Sequence, residues 1–370
     1  MRVYFKGLKF LRFIAASMVV VHHIEQYKCK LGIPNLWSNG VIRNLGDKGV
    51  TLFFVLSGFL ITFLLLKEKE QTGKINIKYF YFRRVLRIWP LYFLVVFSSI
   101  FLFPHLSFFR TNETSVIENK FLEILLLSIC ILPNMTMLYV GAIPFSSQTW
   151  SIGVEEQFYI VWPVLIKYTK HIFFLLLGII GLLFILQNSG VLIPRILGQN
   201  IFSSTYLMNQ ATFFRFLRID CMAFGGLGAL LVFKKSKLLK YIYSPITSTV
   251  LLILVVWIVF SDEKIFLFDN VIQSCLYMFL ILTIATYDKC FYTIETKLFN
   301  VLGDISYGIY MYHPIVCFMV LKLIGKELNY LSSFCLIFIF TLLLAYVSYM
   351  LFEKRLINIK SQKFAIVKNT

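Results

Sequence analysis

Apolar runs long enough to cross a lipid bilayer recur along the whole 370-residue chain, and they constrain its fold more than any other feature. Hydrophobic residues make up 59% of the sequence and charged residues only 15%. Because this balance excludes an ordinary soluble domain, we predict an all-α integral membrane domain over residues 1–355. A short basic cytoplasmic tail is expected over residues 356–370.

The apolar runs predict about ten transmembrane helices. With an N-terminus in the cytoplasm, the cytoplasmic side would hold 23 lysines and arginines against 10 outside, as the positive-inside rule requires. This holds only if the apolar stretch 121–140, which Leu132-Pro133-Asn134 interrupts, does not cross, so we expect that stretch to be re-entrant or interfacial. Both termini are then cytoplasmic, and the spans lie near residues 8–25, 50–66, 88–104, 153–168, 171–187, 216–233, 245–260, 268–287, 305–324 and 331–352.

The charge and cysteine content narrow the range of partners. The net charge of +18 follows mostly from the cytoplasmic bias, so it does not imply nucleic acid binding. The seven cysteines show no CxxC spacing, which favours free thiols over disulfides or a metal site. The partner that composition alone predicts is the lipid bilayer.

The first span is unusually polar. Arg12 and His23 are eleven residues apart, or about three helical turns, so they share one stripe about 16 Å long, while His22 points about a quarter-turn away. A guanidinium and an imidazole are costly in lipid. The stripe must therefore face protein or water.

Two further clusters admit either a structural or a functional interpretation. Arg83, Arg84 and Arg87 gather at a cytoplasmic boundary, where they would either signal topology and contact anionic lipid or clamp an anion. Glu155 and Glu156 open the fourth span, where the helix dipole accounts for one acid more readily than for two.

Polar residues in later spans extend the pattern. Ser306, Tyr310 and His313 fall at i, i+4 and i+7, making a polar stripe into the membrane; a buried histidine there is either structural or part of a site. Arg218 lies near the outer boundary, where it would either snorkel to the interface or bind a ligand.

Taken together, these motifs resemble the acyltransferase-3 family of membrane acyltransferases, over about residues 5 to 355. No single motif is decisive, but five occur in the family's order. They are Arg12 with His23, the run Phe53–Phe59, the basic motif Arg83–Arg87, the stretch Trp150–Tyr159 and the stretch Ser306–His313.

The resemblance implies a ten-span enzyme of the bacterial cytoplasmic (inner) membrane that moves an acyl group, usually acetyl, from cytoplasmic acetyl-CoA to a cell-surface polysaccharide or lipid-linked glycan. Some relatives carry a fused extracytoplasmic domain that completes transfer. This chain is expected to lack that domain, so either it acts alone or a separate extracytoplasmic protein accepts the acyl group. No metal is expected.

The resemblance, together with the polar positions noted above, leads to a hypothesis for the role of each residue. His23 would be the general base or transient acyl carrier, with Glu155 or Glu156 orienting it or positioning the acceptor. The residues expected to bind the CoA are Arg12, Arg83, Arg84 and Arg87. Those expected to bind substrate are Trp150, Ser151, Tyr159, Arg218, Ser306, Tyr310 and His313.

A polytopic transporter or flippase for a glycan or lipid-linked precursor is the alternative, because intramembrane Arg, His and Glu also mark transport routes. Inverted repeats are frequent in such carriers, and none is evident in the sequence. A cytoplasmic arginine clamp is also not something that a sugar carrier needs.

Overall fold

The structure is a computed structural model that describes residues 4–192, 204–262, 266–292 and 294–363. Within these ranges it is all-helical, without strands. The helices are α1 (Leu8–Lys30), α2 (Gly40–Thr72), α3 (Ile77–Phe97), α4 (Thr114–Asn119), α5 (Phe121–Ile129), α6 (Pro133–Tyr139), α7 (Trp150–Tyr168), α8 (Ile172–Gln187), α9 (Ser204–Leu217), α10 (Ile219–Phe233), α11 (Leu239–Ile242), α12 (Pro245–Phe260), α13 (Asp269–Thr286), α14 (Lys297–Asp304), α15 (Ser306–Ile324), α16 (Tyr330–Ser348) and α17 (Lys354–Lys363).

A helix occupies each of the ten positions where the sequence predicts a span. In the described part of the chain, five helical stretches are long and apolar enough to cross a membrane, and a bent pair adds a sixth. The count of ten is therefore not confirmed. The helices α8 and α12 are apolar but only 16 residues long, about 24 Å against a hydrocarbon core of about 30 Å. Neither α1 nor α7 is among the five, and both carry residues of the predicted site.

The second helix is longer than the predicted span 50–66. At its start the Asn39 side chain accepts hydrogen bonds from the backbone N–H groups of Val41 and Ile42. At its end Gly73 adopts a left-handed conformation (φ 70°), which glycine tolerates and which terminates helices. These two caps define one helix of 33 residues that brings Ser57 and Asp47 onto the same element.

The predicted sixth span, 216–233, is broken near its start. Arg218 has φ 44° and separates α9 from α10, which are bent by 40° relative to each other. The span therefore does not begin as one continuous helix, and Arg218 lies in the break. Its guanidinium binds α2 instead, donating to Asp47 Oδ1 at 2.5 Å and to Thr51 Oγ1 at 3.0 Å.

The stretch 121–140 forms two short helices, α5 and α6, separated at Ile131, which has φ 56°. Neither helix, of nine and seven residues, is long enough to cross a bilayer. Asn134 of α6 exchanges hydrogen bonds of 3.2 Å with Gln157 of α7. The segment thus packs beside the start of α7.

The centre of the fold is the contact of α2 with α1 and α10. A Cβ atom on Gly58 would lie 1.9 Å from the backbone oxygen of Met222, and one on Gly225 would lie 2.0 Å from that of Val55. Both positions require glycine because the two backbones touch, which is the usual role of small residues between membrane helices. The predicted tail begins inside α17, and residues 364–370 lie outside the described residues.

Candidate active site

A cavity of about 300 Å³ lies between α1, α2, α3, α7 and α15. Eight of the residues predicted for the site line it, although they come from four separate stretches of sequence. They are Arg12, Arg84, Arg87, Ser151, Glu155, Tyr159, Ser306 and Tyr310.

Three guanidinium groups dominate one part of this cavity. Arg84 lies over the rings of Phe80 and Tyr159, with centroid distances of 5.6 and 5.5 Å. Within the described residues, none of Arg12, Arg84 and Arg87 forms an ion pair within 4.0 Å. Charges in a membrane helix bundle are normally paired, so this cavity presents an excess of positive charge.

Arg83 does not belong to this group. It is 6% exposed and donates to Glu68 Oε2 at 3.1 Å, while Glu68 Oε1 accepts the backbone N–H of Asn76 at 2.9 Å. Arg83 therefore joins α3 to the end of α2. Of the three adjacent arginines, only Arg84 and Arg87 line the cavity.

The two adjacent glutamates point in different directions. Glu155 lines the cavity, where Ser57 donates to its Oε1 at 2.7 Å and Tyr159 to its Oε2 at 3.0 Å. Glu156 is buried outside the lining and accepts the indole N–H of Trp89 at 3.0 Å. In the part of the chain that the structure describes, neither carboxylate forms a hydrogen bond with His23.

Tyr310 marks one boundary of the cavity. Its hydroxyl donates to the backbone oxygen of Gln148 at 2.8 Å and lies 2.7 Å from Ser151 Oγ. Ser306, one turn earlier, donates to the backbone oxygen of Gly303 at 2.8 Å. Beyond Tyr310 is His313, with 6.0 Å between the ring centroids.

His23 and His313 form a direct pair that links α1 to α15. His313 Nε2 lies 3.0 Å from His23 Nδ1, and His313 Nδ1 lies 3.2 Å from the backbone oxygen of Ile309. His313 is fully buried and does not line the cavity. The His313 ring therefore contacts His23 and not the interior of the cavity.

This geometry determines the tautomers of the neutral pair. A carbonyl oxygen only accepts, so His313 Nδ1 carries the proton and its Nε2 accepts from His23 Nδ1–H. The same His23 Nδ1–H also faces the backbone oxygen of Val19 at 3.0 Å. His23 Nε2 is consequently left with a free lone pair, the form needed in a base or nucleophile.

His22 has different surroundings, as the quarter-turn offset predicts. Its ring packs on Trp37 with a centroid distance of 5.0 Å. A Cβ on Gly46 would lie 2.7 Å from its Cγ. His22 therefore faces α2 and the loop before it, away from His313.

Trp150 and Arg218 lie between this cavity and a second one. The Arg218 guanidinium is 5.9 Å from the centroid of a Trp150 ring, and Arg218 lines the second cavity. Trp150 also packs against Phe54, which lines the first.

In the ranges described, no group of three or more His, Cys, Asp or Glu side chains is arranged to hold a metal ion.

Sequence reasoning did not single out Ser57, Trp89 or Gln148. Ser57 lies in the Phe53–Phe59 run, where small residues usually serve close helix packing. Ser57 is four residues before Ile61, so both side chains lie on the face of α2 that lines the cavity. This spacing is the sequence signal for Ser57. Trp89 and Gln148 contact the site only through tertiary structure.

Comparison with known proteins identifies the family. The acyltransferase-3 model, described as "Acyltransferase domain", matches residues 5–350. A Staphylococcus aureus protein named "Putative O-acetyltransferase" is 28% identical over 330 residues, covering 84% of this chain and 50% of that protein. The peptidoglycan O-acetyltransferase OatA of Listeria monocytogenes is 29% identical over 195 residues, covering 49% of this chain and 28% of that protein.

The chain spans about half the length of the curated relatives that match most of it. No solved structure matches it. The family match covers nearly the whole described fold, including both histidines and all the arginines of the cavity. The chain belongs to the acyltransferase-3 family of integral membrane acyltransferases.

Proposed function

We propose that this protein is a membrane O-acyltransferase that moves an acetyl group from cytoplasmic acetyl-CoA to a hydroxyl of a cell-envelope glycan. The observation that carries the proposal is a cavity with three arginines that have no ion-pair partner among the described residues. Its Tyr310 boundary adjoins the His23–His313 pair. An anionic donor and a base are the two components that acyl transfer from CoA requires.

The arginine cavity suits the donor. Guanidinium groups bind phosphate oxygens through forked, charge-assisted hydrogen bonds, and CoA carries several phosphates. Arg12, Arg84 and Arg87 would hold them, while Phe53, Leu60 and the other apolar lining residues accommodate the pantetheine arm. Arg83 is not assigned to the donor site, because Glu68 already pairs with it.

His23 Nε2 would remove the proton from the acceptor hydroxyl. The hydroxyl oxygen attacks the thioester carbonyl, an ester bond forms, the C–S bond breaks, and CoA leaves as the thiolate, which then takes up a proton. Catalysis by a positioned base is typically worth about 10²–10⁴-fold in rate. Glu155 would position Tyr159 and Ser57 at the donor cavity.

The membrane topology that we propose has ten crossings with both termini in the cytoplasm. The charge bias supports it, and it gives α1 a direction in which Arg12 lies toward the cytoplasm and His23 toward the outside. The peptidoglycan substrate in the name of the Listeria relative supports an envelope glycan as acceptor. By this topology the protein resides in the bacterial cytoplasmic membrane.

The experiment is thioester consumption by the full chain in proteoliposomes supplied with acetyl-CoA and a peptidoglycan oligosaccharide. Free CoA thiol and acetylated sugar are measured together, the latter by mass spectrometry. We expect His23→Ala to abolish sugar acetylation. We expect Arg84→Gln and Arg87→Gln to raise the KM for acetyl-CoA by about tenfold each, since a charge-assisted hydrogen bond is worth about 1.5–3 kcal/mol.

The double variant Arg83→Gln with Glu68→Gln is the matched control, because it makes the same change one residue away without leaving the Glu68 carboxylate buried and unpaired. Its KM for acetyl-CoA should stay within about twofold of that of the wild type. Sugar movement across the vesicle without thioester consumption would refute the proposal in favour of a transporter. An unchanged acetylation rate in His23→Ala would refute the role of that histidine.

A further inference from the structure

A second cavity of about 240 Å³ lies among the ends of helices rather than in the centre of the bundle. Its lining comes from the start of α2, the end of α8, the break before α10, the end of α12 and the start of α13. In the proposed topology all of these ends are on the outer side. The cavity is therefore accessible from the side where a glycan acceptor resides.

Its charges are balanced, unlike those of the donor cavity. The second cavity is lined by three carboxylates and three cations, namely Asp47, Asp262, Asp269, Lys48, Arg215 and Arg218. The donor cavity has three arginines and one glutamate. A site of zero net charge does not favour a phosphate or a carboxylate ligand, whereas one with excess arginine does.

Most of these charged groups already have partners. Asp47 binds Arg218 at 2.5 Å, and Asp262 accepts from Asn44 at 3.0 Å. Lys48 donates to the backbone oxygens of Val259 and Ser261 at 3.1 and 2.6 Å. The charges thus build the walls of the cavity and hold the helix ends together.

The groups most available to a ligand are two neutral amides. Five asparagine and glutamine side chains line the cavity, but Asn44, Gln187 and Asn188 already donate to Asp262, Asp220 and the backbone oxygen of Phe184. This leaves Asn270 and Gln273, whose amides can both donate and accept hydrogen bonds. On the first turns of α13, Asp269 and Asn270 make no side-chain hydrogen bond to another described residue, and Gln273 is 3% exposed beside them. Paired donors and acceptors of this kind match hydroxyl groups, which also do both.

The two cavities share a wall. Arg218 lines the second, stacks near Trp150, and Trp150 packs on Phe54 of the first. Asp47 adjoins Gly46, on which the His22 ring packs. A ligand in the second cavity therefore lies next to both the donor cavity and the histidine end of α1.

We propose that the second cavity binds an uncharged, hydroxyl-rich sugar unit of the acceptor glycan, with Asn270 and Gln273 as direct contacts. The proposal rests on the function proposed above, and it assigns the acceptor to a site separate from the CoA site. Arg218 then has a positioning role through Asp47, while the α13 amides supply recognition.

Isothermal titration calorimetry on the purified full chain tests this. The probes are N,N′,N″-triacetylchitotriose (called chitotriose below), which is uncharged, N-acetylglucosamine 1-phosphate, and CoA. We expect saturable chitotriose binding that Asn270→Ala and Gln273→Leu each weaken by about tenfold, the loss expected for removing hydrogen bonds and leaving polar partners unsatisfied. CoA affinity should change by less than twofold, and Asn119→Ala, at an exposed position outside both cavities, should affect neither ligand.

Two variants on one face keep the test informative if one of them fails to fold, which size-exclusion chromatography detects. Absence of saturable chitotriose binding, binding that neither variant weakens, or tighter binding of the phosphorylated sugar would each overturn the proposal. Sugar binding that depends on the amides, in a protein that consumes no acetyl-CoA, would support this site and refute the acyltransferase function instead. The two failures are therefore distinguishable.

Discussion

Replacing His313 by leucine tests whether the histidine pair fixes the tautomer of His23, the proposed catalytic base. His313 Nε2 is the acceptor 3.0 Å from His23 Nδ1. Leucine removes that acceptor but keeps an apolar side chain of similar size, so the packing of α15 on α1 is largely retained. The prediction concerns the rate of transfer, not the affinity for acetyl-CoA.

The size of the effect follows from the contacts of His23. One net hydrogen bond is worth about 0.5–1.5 kcal/mol, and about 1.4 kcal/mol corresponds to tenfold in rate. The backbone oxygen of Val19 remains 3.0 Å from His23 Nδ1 as a second acceptor. We therefore expect His313→Leu to lower kcat about three- to tenfold, well short of the 10²–10⁴-fold expected for loss of the base.

The assay is acetyl transfer in proteoliposomes with kcat and KM determined separately. His313→Gln is the rescue variant, because its side-chain oxygen accepts from His23 while its N–H₂ donates to Ile309. We expect Gln to recover kcat to within about threefold of the wild type, and His23→Ala with His313→Leu to be no worse than His23→Ala alone. An unchanged kcat in His313→Leu would refute the tautomer argument, and a loss as large as that of His23→Ala would place His313 in the chemistry itself.

Two further predictions concern stability and are measured by thermal unfolding in detergent, with a lipid-facing substitution, Leu343→Ala, as control. Arg83→Leu should destabilise the fold by about 3–5 kcal/mol, because it leaves the Glu68 carboxylate buried and unpaired. Adding Glu68→Gln should restore part of the lost stability. Wild-type stability in Arg83→Leu alone would contradict this prediction. Gly58→Ala should also destabilise, because its Cβ would lie 1.9 Å from the Met222 backbone oxygen, and wild-type stability would show that α2 and α10 separate at little cost.

The sequence predicted the elements of this fold better than their continuity. Apolar length and composition placed helices at all ten positions, because burial in lipid demands that every backbone group be bonded within the helix. No proline or glycine at Arg218 predicts the break there. The residue in the break binds Asp47 and Thr51, which lie more than 160 residues away in the sequence, so helical periodicity could not predict these contacts.

Within the site, helical periodicity located residues on a stripe but did not resolve which of several neighbours faces inward. Arg83 and Arg84 lie on opposite sides of Arg87 around the helix, about 40° and 60° away. The sequence predicted that all three bind the donor. The structure places Arg84 at the cavity and turns Arg83 to Glu68, a choice that depends on where the end of α2 lies.

The same limit applies to the histidines, with an informative exception. Periodicity correctly separates His22 from His23 by a quarter-turn, and the structure gives them different neighbours, Trp37 and His313. The sequence predicted that Glu155 or Glu156 would either orient His23 or position the acceptor, and it did not predict the contact of His23 with His313. The contact between His23 and His313 joins residues 290 positions apart. Helical periodicity cannot predict such a contact, so it is seen only in the folded structure.

On the function proposed above, one polar helix, α1, lies close to the sites of both the donor and the acceptor. Arg12 contributes to a cavity with excess positive charge, suited to an anionic donor from the cytoplasm. Eleven residues later His23 contacts α15, and His22 packs on α2 beside Asp47, which lines the charge-balanced cavity. Arg12 lines the donor cavity directly, whereas α1 reaches the second cavity only through the contact of His22 with Gly46, next to Asp47. On the function proposed above, the arginine end of this helix would serve the donor and its histidine end the acceptor, which would account for polar residues that are costly in a membrane.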